Sequence, residues 1–266
     1  MSHSTMQPHN GQIVFGLGSG RCGTTSLAEL LNAQPGVVCF HEINPASSAW
    51  VDGEDTVIAL LNDFDAILGG AADRSLVIDR SVKGRTAPVA RLKSLDRVTG
   101  MGEVAHYHLP YVELILERVP DARFPCLYRA REDVVRSFAT KLRLPRYNRL
   151  ERLHARIHGY HLPVSRNHWA GRQDRRWKSD PRFDKCFPSY DGLEDADISA
   201  YLGRWHDEYY ATVRTLCERH PENVRIFDME ALNDPEGRRA ILEFALPGKE
   251  INVDVTAHAN ANPASD

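Results

Sequence analysis

Between Gly16 and Leu31 the sequence reads GLGSGRCGTTSLAELL, and its residue types are those of a turn that holds a phosphate. Gly16, Gly18, Gly20 and Gly23 remove the side chains that would keep a ligand off the backbone. The amides around Gly23 to Ser26 open a helix, at the positive end of its dipole. Gly18-x4-Gly23 followed by Thr24-Thr25 is a Walker A frame in which Thr24 stands where the nucleotide-binding lysine is usual. The cation is Arg21, two residues before the second glycine. A second stretch, FPCLYRAREDVVRSFATKL, delivers Arg129 at the end of an apolar run and Ser137 eight residues later, two helical turns on. Both reach one anion, and the planar fork of a guanidinium suits phosphate. Groups able to move a proton follow other apolar runs: Glu42 after Val37 to Phe40, and His106 and His108 in AHYHLP.

The elements that must position these residues alternate. Ile13-Val14-Phe15 reads as a strand, and Leu27, Leu30 and Leu31 recur at helical spacing behind the loop. Val37 to Phe40, Leu76 to Asp79, Gly102 to His108, Arg123 to Tyr128 and Val224 to Phe227 read as further strands. Helices are expected over residues 55–68, 88–98, 110–119, 132–142, 197–219 and 235–244, with Pro110 and Pro235 at first turns and a loop-like tail from Leu246. Strands separated by such helices argue for an α/β fold with a central parallel sheet and helices on both faces. In open sheets of this kind ligands sit at the carboxyl ends of the strands, where Arg129 falls. An extended segment would put His106 and His108 on one face.

RCGTT resembles the 5′-phosphosulfate loop of the sulfotransferases, which reads K/R-S-G-T-T and takes 3′-phosphoadenosine 5′-phosphosulfate (PAPS). Arg129, Asp133 and Ser137 are similar to that family's R-x-P-x-D-x-x-x-S, with Arg131 in place of the proline. FDMEALNDPEGRRAILEFALPG resembles its late strand, turn and helix, and YLGRWHDEYYATV the amphipathic helix before them. The resemblance implies a three-layer P-loop fold and in-line transfer of a sulfuryl group from PAPS to a hydroxyl of a small-molecule or carbohydrate acceptor, leaving 3′,5′-diphosphoadenosine, with no metal. It implies Gly20, Arg21, Cys22, Gly23, Thr24, Thr25 and Ser26 around the 5′-phosphate, with Arg21 on the bridging oxygen, and Arg129 and Ser137 on the 3′-phosphate. Two bases are open. Glu42, in LNAQPGVVCFHE, resembles a segment of the tyrosylprotein sulfotransferases and lies 21 residues after Arg21; it is the first choice. His108 resembles the K-T-H-L-P base of the cytosolic enzymes and is the second choice, or a partner that stabilises sulfuryl charge. His106 then takes a supporting part, and Lys83 is a weaker candidate for the same work.

The rest of the composition sets bounds. A net charge of -3 gives no global reason to expect nucleic acid or a membrane surface. Five scattered cysteines without a C-x-x-C pair read as reduced thiols, and no run reaches the length of a membrane span. The polar first ten residues lack a signal peptide's apolar core, so a cytoplasmic protein is expected. Residues 1–11 read as a disordered tail and 12–266 as one domain with a basic insertion at about 142–192. Residues 141–190 hold thirteen Lys/Arg against four Asp/Glu. That insertion is either a lid or acceptor site with Trp169 and Trp177 as platforms, or a solvated excursion. Residues 257–263 are either a loop folding onto the 3′-phosphate or a frayed end. A P-loop kinase is the main rival, without its lysine or convincing magnesium acids; Asp79 is read as a turn cap. Against a non-catalytic nucleotide- and anion-binding protein stand Glu42 and His108, since a binder needs no base.

Overall fold

Short, largely apolar runs form the strands, and β1 and β3 are buried along their whole length, whereas β5 is only partly covered. In the computed structural model, residues 11–43, 53–76, 86–143, 149–159 and 198–255 are described. β1 (Gln12–Gly16) leads into α1 (Thr24–Asn32), β2 (Val37–His41), α2 (Gly53–Leu68), α3 (Thr86–Ser94) and β3 (Gly100–Val104). A 3₁₀ turn at His106–Tyr111 precedes α4 (Val112–Arg118), followed by β4 (Phe124–Tyr128), α5 (Arg131–Arg143), α6 (Arg149–His158), α7 (Ile198–Arg219), β5 (Val224–Asp228), a second 3₁₀ turn at Met229–Asn233, and α8 (Pro235–Ala245).

All strand pairs are parallel. Gln12 of β1 and Val37 of β2 both stand opposite Gly100 of β3, and Phe124 of β4 stands opposite Val224 of β5. The two groups join between β1 and β4, where Phe15 N donates to Arg123 O at 2.8 Å and Leu127 N to Leu17 O at 3.0 Å. The order is therefore β2-β3-β1-β4-β5. The chain leaves β1 towards β2 on one side and β4 towards β5 on the other. The adjacent carboxyl ends of β1 and β4 are thus a switch point, the place an open α/β sheet leaves for a ligand.

Alternation along β1 divides the core in two. Ile13 and Phe15 pack with α2, α4, α5 and α7, while Val14 packs with α1 and α8 on the opposite face. Three layers result, the arrangement a parallel sheet requires to cover both its faces. Asp234 caps α8, its Oδ1 accepting from Gly237 N at 2.8 Å, with Pro235 behind it. The stretch after α8 forms no regular element up to residue 255 but is pinned: Gln34 Nε2 donates to Asn252 O at 3.0 Å, and Asn252 N returns a bond to Gln34 Oε1 at 2.7 Å.

One expectation is corrected. The strand expected over Gly102 to His108 ends at Val104, and His106 and His108 lie in a 3₁₀ turn with Pro110 inside it. At three residues per turn they do not share a face. The turn wins because Tyr107, His108, Leu109 and Tyr111 all reach the core from it. In α6, by contrast, Leu150, Leu153 and Ile157 are exposed. No helix among the described residues is long and apolar enough to cross a membrane. Outside the described residues lie the tail before Gly11, Asp79, Lys83, Trp169, Trp177, most of the basic insertion and the 257–263 loop.

Candidate active site

The glycine loop leaves β1 and makes two left-handed turns before α1. Gly20 has φ 87° and Gly23, the residue before α1, has φ 89°. Both dihedrals favour glycine, and a Cβ would also press on a side chain, Phe138 at 2.9 Å from Gly20 and Met229 at 3.1 Å from Gly23. No side chain caps α1 at Gly23, and its first turn carries no acid. Its opening amides are the concentrated positive end of the helix. Between the glycines, Arg21 is itself left-handed, at φ 58°. Cys22 turns its side chain into the core, where burial pushes its thiol up.

β4 and α5 bring the second cation to this loop. Arg129, just past β4, donates from Nη1 to Arg21 O at 3.0 Å. Arg21 in turn donates from Nε to Ser137 Oγ at 3.0 Å, and Ser137 is buried. Arg21, Arg129 and Ser137 therefore meet at the mouth between β1 and β4. Burial first, and then the neighbouring Arg129 charge, lower the pKa of Arg21. Among the described residues neither guanidinium is paired with a carboxylate. Two partly buried cations held together with no carboxylate partner among the described residues favour a bound anion with more than one negative charge.

The ends of β2 and β3 carry groups of another kind. His41 Nε2 lies 3.2 Å from Thr24 Oγ1 and 3.5 Å from Thr25 Oγ1. Glu42 follows, left-handed at φ 50°, its side chain 44% exposed and its Oε1 3.9 Å from His106 Nδ1. His106 has its pKa lowered to about 4, first by burial and then by the charges of His108 and His41, with Glu42 pulling the other way. It is neutral near pH 7. His108 is 2% exposed, with Phe15 against its ring, and its Nε2 is 2.8 Å from Glu103 Oε2. Glu103 is a fully buried carboxylate that accepts from Ile43 N at 2.8 Å and from Tyr107 Oη. Burial alone would raise its pKa; the His108 charge and the bonds from His108, Tyr107 and the Ile43 amide outweigh this and hold it low.

Two sets of residues escape a reading of the sequence. Glu103, in the run GMGEV, has no pattern to mark it as buried, yet it ties the backbone beside Glu42 to the His108 ring. The other set comes from α7, which reads as a packing helix. Trp205 Nε1 donates to Ser19 O at 3.2 Å, and Tyr209 Oη accepts from Gly18 N at 3.0 Å. Tyr210 Oη donates to Leu127 O at 2.6 Å and accepts from Ser19 Oγ at 3.5 Å. His206 Nε2 lies 3.0 Å from Arg129 O. The aromatic spacing WHDEYY was the available signal: residues 205, 206, 209 and 210 share one helix face.

Among the described residues no group of three or more His, Cys, Asp and Glu side chains is placed to share a metal ion.

No curated protein matches this sequence. Among solved structures, the crystal structure of a sulfotransferase from Alicyclobacillus acidocaldarius is similar at 17% identity and a TM-score of 0.44, covering 97% of this chain and 88% of that one. Residues 13–184 match the family model described as "Sulfotransferase family", a span that takes in the glycine loop, Glu42, His108, Arg129 and Ser137. The chain belongs to the sulfotransferase family, and is a sulfotransferase.

Proposed function

We propose that this enzyme moves a sulfuryl group from PAPS to the hydroxyl of an acceptor. The observation that carries the reading is the meeting of Arg21, Arg129 and Ser137 at the mouth between β1 and β4, two cations with no described carboxylate. A nucleotide with phosphates at both the 5′ and 3′ positions matches that donor set, and the loop whose left-handed Gly20 and Gly23 carry no Cβ fits the close approach of a phosphate to backbone. When bound, PAPS supplies an activated sulfuryl group and a diphosphorylated leaving group.

The chain's own residues then divide the work. The backbone from Gly20 through Cys22 and Gly23, with the hydroxyls of Thr24, Thr25 and Ser26, holds the 5′-phosphate. Arg129 and Ser137 hold the 3′-phosphate. The Arg21 guanidinium faces the oxygen on which negative charge builds as the sulfuryl bond breaks, a type of stabilisation commonly worth on the order of 100-fold or more in rate. Glu42, exposed beside His106, takes the acceptor's hydroxyl proton as the oxygen–sulfur bond forms. His108, enclosed by Phe15 and paired with Glu103, serves to fix the strand ends beside Glu42. The acceptor, a small molecule or carbohydrate bearing a hydroxyl, approaches from the Glu42 side.

Calorimetry tests the nucleotide half directly: 3′,5′-diphosphoadenosine binds without metal, and ATP with magnesium does not. The reverse result would make the loop that of a phosphotransferase. Incubation with labelled PAPS and a small-molecule extract of the source cells, followed by identification of the labelled product, tests the transfer.

A further inference from the structure

We infer that His41 is a positioning residue for the anion site: it holds the hydroxyls of Thr24 and Thr25 by their acceptor side, so that their protons turn to a 5′-phosphate. This deepens the reading above and rests on it.

The loop has a threonine where an NTP-binding loop has lysine, and a hydroxyl is an ambiguous ligand. It donates one proton and accepts through its lone pairs, and rotates to whichever neighbour is nearest. A hydroxyl that serves a phosphate must spend its proton on the anion and needs a donor behind it. His41 supplies one. It is the last residue of β2, and its Nε2 is within 3.2 Å of Thr24 Oγ1 and 3.5 Å of Thr25 Oγ1, so a single ring nitrogen spans both hydroxyls. Thr24 is buried, which leaves its hydroxyl few other partners. Parallel pairing with β3, His41 opposite Val104, fixes the ring's backbone, and Glu42 N donates to Val104 O at 3.2 Å just beyond. With the proton on Nε2 the ring donates to the two oxygens, and their own protons are left for the ligand. The same residue sits directly before Glu42, so the strand end that presents the base also sets the phosphate donors.

The test uses the purified protein and three nucleotides: 3′,5′-diphosphoadenosine, adenosine 5′-phosphosulfate and adenosine 3′-phosphate. His41→Leu is expected to weaken the first two by about 10-fold, the size of one hydrogen bond to a charged group, and to leave adenosine 3′-phosphate unchanged. His41→Gln, which keeps an N–H at a similar reach, is expected to recover most of the loss. In turnover the Leu variant raises KM for PAPS more than it lowers kcat. Equal losses for all three nucleotides, or no rescue by Gln in a variant with the parent's melting temperature, would overturn the assignment of His41. If the unaltered protein binds none of the three, the PAPS reading fails and this inference with it.

Discussion

The two halves of the site are built from opposite materials. At the β1–β4 mouth there are two guanidiniums, a serine and backbone amides, braced from behind by Trp205, His206, Tyr209 and Tyr210 of a helix some 190 residues later in the chain. At the β2–β3 ends there are His41, Glu42, Glu103, His106 and His108, linked to one another and to the loop threonines. Among the described residues the first half offers an anion guanidiniums, a hydroxyl and backbone amides, and no carboxylate bonds to either guanidinium. The second offers carboxylates and imidazoles. In the function proposed, one sheet thus separates the binding of an anion from the management of a proton, and the border between them runs between Thr24 and His41.

The sharpest way to break this division is Glu42→Gln. It is expected to lower kcat by about 100- to 10,000-fold while leaving the affinity for 3′,5′-diphosphoadenosine within a factor of about two. A loss of that size on His108→Gln, with Glu42→Gln near the parent, would give the proton step to His108. Next in size is a cost of the proton-handling half alone. His106 is held at about 4 against an ordinary 6.5, so between those values the unfolded chain binds a proton that the folded chain refuses. Stability is full above about pH 6.5 and falls as the pH drops towards 4, by up to roughly 3 kcal/mol. Chemical unfolding across that range should show the slope, and His106→Gln should flatten it. Arg129→Ala is expected to weaken 3′,5′-diphosphoadenosine by about 10- to 100-fold, the worth of a charge-assisted pair, and to leave adenosine 5′-phosphosulfate nearly unchanged. Equal losses for both ligands would refute the assignment of Arg129 to the 3′-phosphate. Smallest is Tyr209→Phe, which removes the acceptor for Gly18 N; about 1 kcal/mol of stability and a few-fold in nucleotide affinity are expected, with the kcat of the saturated enzyme retained.

The two halves also differ in how far the sequence discloses them. The anion half is largely legible, because its parts are local: glycines, a cation and a helix start within ten residues, and Arg129 and Ser137 two turns apart on one strand–helix unit. Its bracing by α7 is not, since nothing near Trp205 or Tyr209 points to a loop so far away in the chain. Glu42, His106 and His108 stand out by type, but their relations depend on backbone geometry that short polar segments do not announce. The 3₁₀ turn separates His106 from His108, and only the sheet register brings Glu103 to Ile43 and His108. Alternation and handedness suggest a parallel sheet, while the order β2-β3-β1-β4-β5 is set by long-range pairing.

Arg21 and Glu42, the cation and the acid assigned to the two ends of the transfer, are the only non-glycine residues among those described with a left-handed backbone. Each such residue costs of order 1 kcal/mol or more. Glycine or asparagine would relieve that cost at both places. Laboratory evolution for heat tolerance alone is therefore expected to drift towards replacing the two residues to which the transfer is assigned, and a thermostable variant is better sought everywhere except at these two positions.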